Sequence, residues 1–466
     1  METALTKKYG LFTAIAMVVG IVIGSGVFFK AEAVLKATGG NMPLGIAAWS
    51  IVGLIMIVCS YTFAIMATKY ERVNGVVDYA EAAVGEKYGY YVGWFMAVIY
   101  NPTITSVLAW VSARYTCVLL GWDITGGSCM TIACFYLIGS YAVNALSPVM
   151  AGKFQVATTI IKLIPLTLMA VAGTVIGLLN GMTISNFTRV VDADIGIGGG
   201  LFASVVAVAF AYEGWIIATS INSELIDAKR NLPKALIWGS LIVVFVYICY
   251  YIGLAGAVST EALMASGEAG AKMAFQNIFG SVGGSLIFVF VIISCLGTLN
   301  GLMVGCTRGL YSLAARNKGP LPEIFKQVDK VTNMPTNSSV FGLLLCAFWL
   351  LYFYGANLTK PWFGPFVFDT SELPIVTLYG AYIPIFLLLM KKEKTLPPFK
   401  RYVMPILSVL GCIFMVVAAC LAHGLAVVYY LIVFVAIMLI GVYYQAVHEP
   451  TVVHPDSVRQ QAEHSA

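Results

Sequence analysis

Charge is what this 466-residue chain has least of: Asp, Glu, Lys and Arg make up 11% of it, against roughly 25% in soluble domains. A soluble globular surface cannot be built from so little. Histidine is scarce as well, with only His423, His448, His454 and His464, each at the end of an apolar run or in the C-terminal tail. No buried histidine pair is left to hold haem or copper. The chain has no G-x-x-x-x-G-K-[ST] loop, which argues against an ATP-driven pump. No Ser/His/Asp or Cys/His arrangement lies within an apolar run, so a membrane-embedded enzyme is disfavoured. The ten cysteines lack C-x-x-C spacing and read as small buried residues; Cys117 and Cys129 approach the same face. No metal or other cofactor is expected.

What is abundant is hydrocarbon, with 60% of residues hydrophobic. Runs of about 20 apolar residues, the length that crosses a bilayer, fall at 11–29, 43–68, 88–121, 130–147, 154–179, 199–221, 235–258, 279–312, 339–354, 374–390, 404–422 and 425–446. The reading is an all-α integral membrane protein with 12 transmembrane helices. The first run is followed by Ala31-Glu32-Ala33 and superficially resembles a signal peptide. Its length and the eleven runs after it make it a span instead.

The net charge of +5 does not indicate a nucleic-acid partner, because the basic residues lie in short loops. If all twelve runs cross, 20 Lys and Arg lie on the face of the termini and five on the other: Lys30, Lys36, Arg189, Lys272 and Lys360. The remaining two, Arg114 and Lys162, are counted with neither face, whereas Arg308, near the terminal-face end of run 279–312, is counted with that face. The positive-inside rule then places both termini in the cytoplasm and the chain in the cytoplasmic (plasma) membrane. Polar loops are short, so residues 1–446 read as one transmembrane domain, and 447–466 as a polar cytoplasmic tail.

Two spans are interrupted at matching places. Ile23-Gly24-Ser25-Gly26 breaks span 1 and Phe210-Ala211-Tyr212-Glu213-Gly214-Trp215 breaks span 6. Bilayer hydrocarbon forbids unpaired backbone groups unless protein, water or a ligand satisfies them. Aligning the breaks makes repeats of residues 11–179 and 199–390, with spans 11 and 12 (404–446) appended. Five spans is an odd number, so the second repeat runs inverted, and the broken ends face a common midplane site.

At the first break, two glycines permit unusual backbone angles or close helix packing, the matching second break favouring the former, and a new helix N-terminus attracts carboxylate. At the second, Glu213 sits where an isolated carboxylate costs a few kcal/mol. It is read as a partner of freed N–H groups, as a proton carrier, or as a ligand of a substrate amine, the first being favoured. Freed carbonyls suit an ammonium, and an aromatic beside the break would cover a ligand. Lys162 lies eight residues into span 5, about 12 Å deep at 1.5 Å per residue, too deep to snorkel. Asn300 is placed to offer an amide to the cavity. The stretch with Arg72, Asn74-Gly75 and Asp78-Tyr79 is expected to dip back toward the core.

These motifs resemble those of the amino-acid/polyamine/organocation transporters. Ile23-Gly24-Ser25-Gly26-Val27-Phe28 resembles their I-G-S-G-I-F, and Phe210 to Trp215 their F-A-Y-x-G-W. Glu224, Asn231, Leu232, Pro233 and Ala235 resemble the segment that follows helix 6. Gly297-Thr298-Leu299-Asn300-Gly301 resembles the G-x-x-N-G of the L-type exchanger branch, to which bacterial serine/threonine exchange transporters belong. Asp227-Ala228 departs from the usual Asn-Pro, and Glu213 from the glycine frequent in larger relatives. The resemblance implies a LeuT-like 5+5 inverted repeat with discontinuous helices 1 and 6. It implies a substrate carboxylate at the N–H groups of Ser25 and Gly26, and an ammonium at carbonyls near Val22, Phe210 and Glu213. Phe210 becomes a lid, and Lys162 stands where other transporters bind sodium. The expected site is thus Val22, Ile23, Gly24, Ser25, Gly26, Phe210, Ala211, Tyr212, Glu213, Gly214 and Asn300, with Lys162 as coupling residue. The expected function is sodium-independent exchange of small to medium neutral L-amino acids. A proton-coupled amino-acid or polyamine importer is the alternative. Beyond substrate and membrane lipid, nothing demands an obligatory protein partner.

Overall fold

The computed structural model describes residues 7, 9–70, 75–192, 194–267, 269–358 and 360–448. Arg72, Asn74 and the 449–466 part of the tail lie outside the described residues. Twelve helices are long and apolar enough to cross a membrane, and apart from one isolated Tyr9–Leu225 bridge the described residues are helical or irregular. The spans are Leu11–Ala37, Met42–Ala67, Glu86–Leu120, Gly127–Leu146, Val149–Leu179, Ile197–Thr219, Ala228–Ala257, Ala269–Ala314, Thr336–Ala356, Leu373–Lys392, Phe399–His423 and Leu425–Ala446. Several run beyond the apolar stretches, because a helix continues through its polar ends wherever backbone bonding is intact. Span 8 bends where Gly280 takes φ 75°.

The breaks fall where the sequence puts them. Span 1 divides into helices Leu11–Val22 and Gly26–Ala37, with Ile23 extended (φ −72°, ψ 95°) between them. Span 6 has an α-helical first half, Ile197–Ala211, and then turns through Gly214 at φ 98°. Its second half, Trp215–Glu224, is a tighter 3-10 helix, which apolar periodicity does not reveal.

Helix packing follows the expected repeat. The second half of span 1 packs on the first half of span 6, span 7 on span 2, span 8 on span 3 and span 9 on span 4. Each contact joins an element to its counterpart in the other half, as a pseudo-two-fold axis through paired elements requires. Where backbones meet, small residues permit it. A side chain at Gly253 would come within 2.1 Å of the Met169 carbonyl, and one at Gly256 within 2.0 Å of that of Gly173. Span 5 accommodates this contact in a π-helical turn, Met169–Gly173. The stretch after span 2 does return to the core, as helix Gly75–Ala83 with Asp78 and Tyr79 buried.

Candidate functional site at the paired breaks

The two breaks touch. A methyl group added at Gly26 would lie 2.4 Å from Cα of Ala211, and one at Gly24 would lie 2.7 Å from Oγ1 of Thr298. Neither Gly24 nor Gly26 has a positive φ; in this pair of motifs only Gly214 does. The first break therefore needs glycine for close approach rather than for unusual angles, the reading that the sequence ranked second.

Between the breaks lies a narrow cavity lined by Ile21, Val22, Gly24, Ser25, Gly26, Ile104, Leu108, Phe210, Glu213, Thr298 and Leu302. At its Ser25 end a helix begins, and the N–H groups of Ser25, Gly26 and Val27 bond no backbone carbonyl. The Ser25 hydroxyl is buried without a partner as well. Unsatisfied donors at a helix start, with the helix dipole behind them, form a ready anion site.

Glu213 closes another side of the cavity. Its Oε1 accepts from the Tyr100 hydroxyl, which span 3 presents from a π-helical turn, Met96–Tyr100. Its Oε2 is buried without a hydrogen-bond partner. Glu213 thus has as a partner a phenol 113 residues away, which the sequence did not indicate, beside a backbone contact from Gly214 in the break itself, the kind of partner favoured from the sequence. Phe210 stands over the cavity with Phe29 edge-on at 6.1 Å and the Lys30 ammonium 5.5 Å from its ring.

Lys162 is 0% exposed, and no carboxylate pairs with it among the described residues. Its ammonium donates to the carbonyls of Gly20 and Ile23, both at 2.6 Å, and to Thr298 Oγ1 at 3.0 Å. Thr298 in turn donates toward the same two carbonyls, at 3.0 and 2.9 Å. Carbonyls freed by the break, which in hydrocarbon need a cationic or donor partner, thus have a fixed one.

Not every expected residue reaches the cavity. Ile23 gives its carbonyl to Lys162 and Thr298. Ala211 packs under Gly26 and accepts from Tyr247 at 3.0 Å. Tyr212 is wedged between Trp49 and Tyr247, and Gly214 abuts Ile21. These four shape the breaks without lining the cavity. Asn300 is a correction: it bonds Asn144, Ala151 and Gln155 and lines a different cavity. Mid-span amides often bridge helices in this way. The Val22 carbonyl, expected to meet an ammonium, already accepts from Tyr247 at 2.8 Å.

Sequence reasoning missed Tyr100, Thr298, Tyr247 and the apolar wall of Ile104, Leu108 and Leu302. Thr298 was within reach, since it belongs to the same G-x-x-N-G stretch that drew attention to Asn300. The others are ordinary residues of apolar spans and carry no local signal. Lys30 and Arg308 were counted among the basic residues of the two faces, yet both are buried in ion pairs. Lys30 bonds Glu372 at 2.6 Å, and Arg308 bonds Glu224 at 2.8 Å.

A sequence profile described as amino acid permease matches residues 9–443, nearly the whole chain. The chain belongs to the amino acid permease family. It is similar to the serine/threonine exchanger SteT of Bacillus subtilis (strain 168), with 30% identity over 424 residues covering 89% of this chain and 91% of that protein. It is also similar to the human large neutral amino acids transporter small subunit 2, at 26% over 350 residues, or 72% of this chain and 63% of the relative's length. The human b(0,+)-type amino acid transporter 1 is 24% identical over 358 residues, 75% of this chain and 71% of that protein. Family membership, twelve candidate spans and the paired breaks together make this a multi-pass membrane protein of LeuT-like architecture.

Proposed function

We propose that the chain carries small to medium neutral L-amino acids by sodium-independent exchange. The observation that carries this reading is the pairing of an open helix N-terminus at Ser25 and Gly26 with a fixed ammonium, Lys162, on the carbonyls of the same break. The N-terminus suits a substrate carboxylate. The fixed cation leaves those carbonyls no need of a metal ion. Ile21, Ile104, Leu108 and Leu302 offer an apolar surface to a side chain, while Glu213 Oε2 is an acceptor for an ammonium or a hydroxyl. Exchange follows if the empty carrier reorients slowly and a zwitterion spanning both breaks lowers that barrier, because only differential interaction with the two states can drive the change. The name of the Bacillus relative agrees with this reading.

The proposed membrane is the plasma membrane, with the terminal face in the cytoplasm, on the bias of basic residues between the faces. The test is radiolabelled serine, threonine and leucine uptake into proteoliposomes of the purified chain, with and without internal amino acid, sodium and a pH gradient. Exchange predicts uptake stimulated by internal amino acid and indifferent to sodium. Uptake that ignores internal amino acid and follows the proton gradient would favour the importer. The human relative named a small subunit makes the isolated chain informative too, since uptake without a second protein dispenses with a partner.

A further inference from the structure

The first half of span 1 and span 5 are joined at two levels. Near the terminal face the Tyr9 ring packs on Gly152, where an added Cβ would stand 3.0 Å from Tyr9 Cε1. Deeper in, Thr159 donates to the Ala16 carbonyl at 3.0 Å. Beside these contacts the two spans leave an open groove, with Phe12 and Thr13 on one wall and Lys153, Val156, Ala157 and Ile160 on the other. The positions on span 5 recur every three or four residues, as one face of a helix does.

The rim of the groove faces hydrocarbon. Phe12 is 67% exposed and Ile160 58%, and Phe154 and Ile164 on the same span are exposed as well. At membrane depth a surface of this kind is covered by lipid chains, which are as apolar as leucine.

One wall residue does not suit hydrocarbon. Lys153 is exposed in the groove, and no carboxylate pairs with it among the described residues. The helix of span 5 starts at Pro148, so Lys153 lies about 7.5 Å from that end at 1.5 Å per residue, close enough for its stem to reach headgroups. Snorkelling accounts for the lysine but not for what stands one turn before it. Val149 also lines the groove, and its N–H bonds no acceptor among the described residues. A free donor, the positive end of the helix dipole and an ammonium at i+4 therefore converge on the terminal-face end of the groove. What they share as a ligand is an anion at headgroup depth, with the apolar groove continuing below it.

We propose that the groove between spans 1 and 5 binds one anionic phospholipid, its phosphate at Lys153 and the Val149 N–H and an acyl chain between Phe12 and Ile160. The terminal face, proposed above as cytoplasmic, borders the leaflet in which anionic lipids collect. Because its chain touches both spans, the lipid stabilises their docking. It thereby steadies the start of span 1, which Tyr9 ties to the end of span 6, its N–H donating to the Glu224 carbonyl at 3.1 Å and its carbonyl accepting from Ile226 N–H at 2.8 Å.

The test is the melting temperature of the purified full chain in detergent with added dioleoyl phosphatidylglycerol, against dioleoyl phosphatidylcholine and inorganic phosphate. A ligand that binds only the folded chain raises the melting temperature in step with its concentration. Phosphatidylglycerol should raise it more than phosphatidylcholine, whose chains are the same, and phosphate alone should not replace it. Lys153→Glu reverses an exposed charge and should raise the half-saturating phosphatidylglycerol concentration about tenfold. Lys153→Arg keeps the cation and should respond as the parent does. Ala157→Trp fills the groove from an exposed position and should lose the saturable response. An equal response to the two lipids, a Lys153→Glu response equal to the parent's, or full replacement by phosphate overturns the site. An Ala157→Trp chain that responds as the parent does overturns the placing of the acyl chain. A melting temperature that rises with protein concentration in the absence of lipid, and ceases to do so in Ala157→Trp, gives the groove to a second copy and overturns the lipid as its occupant.

Discussion

At the scale of single residues, a few buried polar atoms decide how the breaks are held. Lys162 binds two freed carbonyls and Thr298 backs it. Lys162→Met keeps the length of the stem and removes the cation, leaving Thr298 alone on both carbonyls. Initial exchange rates at matched protein amounts should fall at least about tenfold, since each charge-assisted bond contributes about 1.5–3 kcal/mol. A fully active, sodium-indifferent Lys162→Met would remove the basis for the fixed-cation reading. Tyr247 acts from the other side, its hydroxyl donating toward Val22 in one break and Ala211 in the other. Tyr247→Phe leaves those carbonyls without that donor, at a cost of about 1–3 kcal/mol. Both the exchange rate and the melting temperature in detergent should fall, whereas a purely catalytic loss would leave melting unchanged.

At the scale of elements, the half-helices meet with no room for a side chain. The Gly26 position faces the backbone of Ala211 at 2.4 Å, and backbone does not yield as a flexible side chain does. Gly26→Ala should therefore abolish transport by pushing the second half of span 1 off span 6. Gly127→Ala, at the start of span 4 with nothing within 4 Å, is the matched control. It should retain transport and equal or exceed the parent in stability, alanine being favoured over glycine in a helix by up to about 1 kcal/mol. The breaks themselves were legible, because Gly-Ser-Gly and Glu-Gly are conspicuous within apolar runs. The mode of contact was not. Whether a glycine serves an angle or an approach depends on what lies opposite, and for Gly26 that is a residue 185 positions away.

At the scale of the molecule, buried ion pairs join distant spans on either side of the breaks. Toward the terminal face the pair is Glu224 with Arg308. Toward the other, Lys30 on the second half of span 1 bonds Glu372 at the start of span 10, and His423 at the end of span 11 lies 2.9 Å from the same carboxylate. Burial raises the Glu372 carboxyl, but the Lys30 ammonium and the His423 bond outweigh it and hold the group at about 2. A depressed carboxylate contributes its stability above its ordinary value of 4.5 and loses it only as pH falls toward about 2. Glu372→Gln should thus lower the melting temperature throughout about pH 5 to 8, by more at the acidic end, where His423 is charged and its bond adds to that of Lys30. A difference that vanished toward the upper end of that range would refute this assignment of charge.

The sequence by itself determined what is local or statistical: twelve spans, from runs of apolar residues; two breaks, from glycine where helix should continue; and the oddity of Lys162, from a charge where hydrocarbon lies. It could not determine partners. Asn300 looked available to the substrate until packing put Asn144, Ala151 and Gln155 around it. Lys30 and Arg308 counted as charges of the membrane faces until Glu372 and Glu224 were found beside them. Tyr100 and Tyr247 looked like ordinary span residues. A buried polar group must bond something, but what it bonds is set by which helices pack together. In a bilayer that choice lies between segments hundreds of residues apart, and only the tertiary structure makes it.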